Sequence, residues 1–145
     1  MDDSTLLRGF QSCDLAHEKW CHRVHVRLAY LFLRDHRFSE ALARFRVNLQ
    51  RYNLAHLVPN DLASGYHETL TVAWFRIVVA RMHDKSGALD SDAFCDANAD
   101  LLDNSMLRRF YSREQIVSWE AKHDFVLPDL QELPGAGRRA TSGCS

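Results

Sequence analysis

The chain has almost no excess charge: 18 Lys and Arg stand against 19 Asp and Glu, a formal −1. A balance this close to zero offers no electrostatic attraction for nucleic acid or an anionic membrane surface, so neither is expected as a partner. Long apolar runs are missing too. No stretch approaches the roughly 18 residues that span a bilayer, and Met1-Asp2-Asp3 is acidic where a secretory signal is basic and then apolar. A cytoplasmic location is therefore expected. Cysteine is sparse, and Cys13, Cys21, Cys95 and Cys144 form no Cys-x-x-Cys pair, which suits reduced thiols in a reducing compartment. A phosphate loop, a dinucleotide fingerprint and a Gly-x-Ser-x-Gly elbow are all lacking, which leaves nucleotide chemistry and serine hydrolysis without support. Strand-like alternation and internal repeats are also absent, so helices must organise the chain.

The apolar spacing predicts an all-α fold, a single compact bundle of about five to seven helices with an extended C-terminal segment. Leu6, Leu7 and Phe10 mark a short amphipathic turn. Asp14 is placed to cap a first long helix from about Leu15 to Asp35. Ser39 can cap a second, in which Leu42, Phe45, Leu49 and Tyr52 recur at three- and four-residue spacing before Pro59 ends it. A third, from about Tyr66 to His83, is apolar nearly all round. After the Lys85-Ser86-Gly87 break, Ser91 can cap a shorter helix, and Ser112 with Gln115 forms a capping box for a last helix reaching about Lys122. Phe125, Val126, Leu127, Leu130 and Leu133, interrupted by Pro128 and bounded by Pro134, are expected to lie extended across the bundle with their side chains buried. One domain covers residues 1–134, and the Gly-, Ser- and Arg-rich residues 135–145 form a tail without apolar period.

The chemistry concentrates in Glu18-Lys19-Trp20-Cys21-His22-Arg23-Val24-His25. On a continuous helix, positions 18, 22 and 25 fall within a sector of roughly 60° that Leu15, Ala29 and Phe32 share. A carboxylate and two imidazoles on an apolar face need partners, because unpaired burial costs several kcal/mol. A second histidine-bearing stretch, His67-Glu68-Thr69-Leu70-Thr71, opens the most apolar helix and points His67 along the same core. It starts like the His-Glu-x-x-His zinc helix, in which the glutamate is a base, but Thr71 stands in place of the second histidine. One cation could satisfy His22, His25 and His67 together, whereas each alone would need its own hydrogen-bond partner. Plainer roles stand beside these. Glu18 suits the positive end of a helix dipole, Glu68 a surface acid, Thr71 a bond to the carbonyl one turn earlier, and Cys21 a small core thiol. His56 is a candidate fourth ligand, and Trp20, Trp74 and Trp119 read as core or pocket-wall aromatics.

Trp20-Cys21-His22-Arg23-Val24-His25-Val26, Tyr66-His67-Glu68-Thr69-Leu70-Thr71 and Pro128-Asp129-Leu130 together resemble a family of small bacterial helical proteins of unassigned function. Its members carry Trp-Thr-His-x-x-His-Leu, Tyr-His-Glu-Thr-x-Thr and Pro-Asp-Leu segments, and the likeness spans roughly residues 10–134. It implies that His22, His25, His67, Glu68 and Thr71 belong to one constellation. Cys21 departs from the pattern, where threonine stands. The function expected is a metal-dependent enzyme acting on a small-molecule substrate. His22, His25 and His67 would hold a divalent transition metal, Glu68 would be base or extra ligand, and Thr71 would orient water or substrate. Zinc, iron, copper and nickel all fit such a donor set. The alternative is a non-catalytic binding or interaction module, in which the same histidines form a hydrogen-bonded core or hold a structural metal.

Overall fold

The computed structural model describes residues 1–84 and 90–135, and the fold is all-α. The Lys85-Ser86-Gly87 break, Cys144 and nearly all of the expected tail lie outside those residues. Among the described residues the one β feature is an isolated bridge between Asp61 and Ser64. No described helix is long and apolar enough to cross a membrane.

The N-terminal turn is a full helix, α1 (Asp3–Gln11). The Asp2 carboxylate accepts the Thr5 N–H at 2.8 Å, and Leu6 and Phe10, one turn apart, are wholly buried. The expected helix from Leu15 does not form as one piece. A 3₁₀ turn (His17–Lys19) is followed by extended backbone at Trp20 and Cys21, and α2 starts only at His22 (His22–Asp35). The indole of Trp20 packs on Tyr52 and Phe10, with ring centroids 5.3 and 5.8 Å away, and the extended linkage reaches that position. Glu18 is consequently exposed on the 3₁₀ turn and does not share a helix face with His22 and His25.

α2 is the central element and packs against α3 (Phe38–Ala55), α4 (Glu68–Asp84) and α5 (Ser91–Ala97). Its residues Val24, Val26, Leu28, Ala29, Leu31 and Phe32 are buried, joined by Phe45 of α3 and Phe75 of α4. Arg27 is buried despite its charge. It donates to the Ser91 hydroxyl at 2.7 Å and the Met1 carbonyl at 2.7 Å, with Asp3 at 3.4 Å, and so ties α1, α2 and α5 together. Ser91 is therefore engaged here, and Asp90 caps α5 instead. Arg37, not Ser39, stands at the α3 cap.

Beyond α5 the chain runs through two 3₁₀ turns (Ala99–Leu102 and Asn104–Arg109) into α6 (Arg113–Ile116) and α7 (Trp119–His123). Ser112 caps α6, its Oγ accepting from Gln115 N–H at 3.2 Å, but the reciprocal half of the expected capping box does not form, because Gln115 donates its side-chain amide to the Leu127 carbonyl and the Ser112 N–H goes to Asp129. The expected single helix nevertheless splits at Val117, and Ser118 caps a new start by accepting from Ala121 N–H. The C-terminal segment lies across the bundle as expected. Tyr111 donates to the Val126 carbonyl at 2.7 Å, Leu130 N–H reaches the Phe110 carbonyl at 3.0 Å, and Leu133 is buried. Leu127 and Leu130, however, are 72% and 57% exposed, because backbone bonds hold this stretch and turn those two side chains outward.

Candidate functional site

His22 and His25 occupy the first turn of α2, three residues apart, and their ring centroids lie 6.0 Å from each other. Both line a cavity of about 670 Å³, well within the range that holds a small organic ligand. Trp74 and Leu70 of α4, Leu107, Tyr111 and Ile116 form apolar walls, and the exposed Arg108, Arg113, Val117 and Leu130 surround the opening. The two imidazoles stand differently within it. His22 Nε2 is 2.8 Å from the Leu101 carbonyl, and since a carbonyl only accepts, that nitrogen carries the proton and Nδ1 keeps its lone pair. The ring packs 4.7 Å from Trp74. His25 lies between Phe45 and Trp20, near-parallel to both at 5.7 and 6.3 Å, and its Nε2 is buried with no hydrogen-bond partner.

Burial in this apolar sandwich, reinforced by repulsion from His22, pulls the His25 pKa down to about 4. Burial also lowers that of His22, against the opposing pull of the Leu101 carbonyl. Both rings are neutral at pH 7, with lone pairs that no proton contests. A buried polar atom without a partner costs about 1–3 kcal/mol, and the fold carries that cost at the wall of a cavity.

The second motif forms a different cluster. His67 precedes α4 and acts as its cap: Nδ1 accepts the Leu70 N–H at 3.1 Å, and Nε2 donates to the Ile116 carbonyl at 2.8 Å. Both of its nitrogens are engaged. Thr71 is buried and donates to the His67 carbonyl at 2.9 Å, the bond one turn back. Glu68 accepts two bonds from Arg46, at 2.8 and 2.6 Å, and a third from the Tyr66 hydroxyl at 2.6 Å. Burial pushes its pKa up, but those donors outweigh burial and hold the carboxyl below the usual glutamate range. Glu68 and Arg46 line a separate, smaller hollow with Lys122, whose buried ammonium donates to the Ser64 and Tyr66 carbonyls. Gly65 makes the preceding turn possible: its φ is +90°, and a Cβ there would meet the Pro59 carbonyl at 2.8 Å.

The expected single constellation is thus divided. His22 and His25 meet in the large cavity, whereas His67, Glu68 and Thr71 are absorbed by the start of α4. Among the described residues no three His, Cys, Asp or Glu side chains gather closely enough to hold a metal. Cys21 is exposed, and His56 is engaged away from the cavity, with Nε2 donating to the Cys13 carbonyl at 2.9 Å and its ring against Tyr52. Sequence reasoning passed over Tyr111, Arg108 and Arg113. The signal for them was the run Arg108-Arg109-Phe110-Tyr111-Ser112-Arg113, three arginines and two aromatics with no acid between them. Comparison with protein-family profiles, with curated proteins and with solved structures finds no match for this chain.

Proposed function

We propose that this chain is a metal-dependent enzyme that acts on a small molecule in the His22–His25 cavity. The observation that carries the reading is the His25 Nε2 atom, buried, unpartnered and beside a neutral second imidazole at the wall of a cavity of ligand size. His22 adds the support that metal-binding histidines commonly have, one ring N–H fixed on a backbone carbonyl and the other nitrogen left as a lone pair. Low proton affinity favours the same role, since a ligating imidazole must be deprotonated. A divalent transition metal held by His22 and His25 would supply a Lewis acid with positions open to substrate. The chain's own residues would do the rest. Trp74 and Tyr111 form apolar walls that limit water, and the Leu101 carbonyl fixes the His22 ring. His67 stays outside this site because its lone pair already caps α4.

Elemental analysis of protein purified without a His-tag tests the metal, and the expected content is up to one transition-metal ion per chain, lost in His25→Gln. A search for metabolites depleted by wild-type protein but not by His25→Gln tests the enzyme. Metal-free protein that cannot be loaded, together with no depletion, would leave a binding module.

A further inference from the structure

We infer that the ligand of the His22–His25 cavity is an organic anion, a carboxylate on an apolar body, recognised by Arg108 and Arg113. The inference rests on the cavity being a small-molecule site and adds the chemical class. The two exposed guanidinium groups border the opening, and neither has a hydrogen bond or ion pair among the described residues. No Asp or Glu lines the cavity. The nearby carboxylates are hydrogen-bonded to other groups, Asp103 to the Ser105 hydroxyl and backbone N–H and Asp129 to those of Ser112, although the Asp103 charge still acts on Arg108 and His22. The contrast with Arg23, Arg27, Arg34, Arg44 and Arg46, each paired with a carboxylate, is direct.

The remaining polar groups agree with an anion at the rim. Tyr111 has its hydroxyl proton committed to the Val126 carbonyl, so it presents ring surface. The interior offers Trp74, Leu70, Leu107 and Ile116 to an apolar body. Two forked guanidiniums match the two oxygens of a carboxylate better than any neutral group, and an apolar floor rejects a second charge. The ligand therefore places its anionic end between Arg108 and Arg113 and its hydrocarbon or aromatic part over Trp74.

Binding of indole-3-acetate, benzoate and octanoate, each against its primary amide, tests this by calorimetry with imidazole NMR of His22 and His25 to locate the site. At least one acid is expected to bind about tenfold or more tighter than its amide and to shift both imidazole signals. In Arg108→Gln/Arg113→Gln that preference should fall to about threefold or less, while amide affinity stays unchanged and reports an intact cavity. Acids and amides that bind equally in the cavity would overturn the anion class while leaving the site. Acids and amides that all bind without moving the His22 or His25 signals would overturn the site and the class with it, as would no binding by any probe.

Discussion

The two histidine motifs end in opposite states. At the start of α4 every strong polar group has a partner: Glu68 has Arg46 and Tyr66, His67 has Leu70 and Ile116, and Lys122 has two carbonyls. At the start of α2 the fold leaves an imidazole nitrogen buried without a partner, beside a cavity bordered by two arginines that have no hydrogen bond or close ion pair among the described residues. A satisfied cluster stabilises a helix start, whereas a buried polar atom without a partner costs stability and calls for a reason. The contrast is the ground for proposing binding at His22 and His25 and a structural role for Glu68 and His67.

The largest expected effect concerns pH. Between about pH 6.5 and 4 folded His25 binds fewer protons than it does unfolded, so acidification through that window favours the unfolded chain. The contribution is whole above the unfolded value and lost as pH falls to about 4, on the order of 3 kcal/mol in metal-free protein. Chemical denaturation across that range should show the loss, and His25→Phe, which fills the slot between Trp20 and Phe45 without a polar atom, should at least halve it. An unchanged slope in that variant would move the acid sensitivity elsewhere.

Glu68→Ala should be next. It strands the half-buried Arg46 guanidinium and the Tyr66 hydroxyl, for a loss of about 2 kcal/mol, while metal content and ligand affinity at the cavity stay as in wild type. A stable variant without metal would reverse the assignment and make Glu68 part of the site. His67→Ala removes a cap and a carbonyl bond, so unfolding measurements should show a loss of about 1 kcal/mol. Metal is again expected to be retained, and its loss would bring His67 back among the ligands. Arg108→Gln should change stability by less than about 0.5 kcal/mol, because that exposed side chain has no hydrogen bond or close ion pair among the described residues and only a longer-range interaction with Asp103; a larger loss in thermal unfolding would mean a structural role.

The helical class and the central, buried α2 were legible because periodicity reports which face meets a core. The position of Trp20 was not. Its packing on Tyr52 and Phe10 depends on residues far away in the chain, and it cuts the helix that would have aligned Glu18 with His22. His22 and His25 could be singled out because their three-residue spacing survives within one turn of α2. The local bonding of His67 was not legible: a histidine just before a helix can spend its lone pair on the third N–H of that helix, and nothing in its neighbours announces that choice. The rim arginines were missed because a surface arginine becomes informative only when its partners, or their absence, can be seen.

The proposed metal role of His22 and His25, the two imidazoles that line the cavity, requires that metal bind there and not at His67, both of whose ring nitrogens are engaged. Titrating metal-free protein with zinc while following the imidazole ¹⁵N resonances tests it directly. His22 and His25 are expected to shift together and saturate at one equivalent, while His67 and His56 keep their positions. Saturation that moves His67 and leaves His25 unchanged would contradict it.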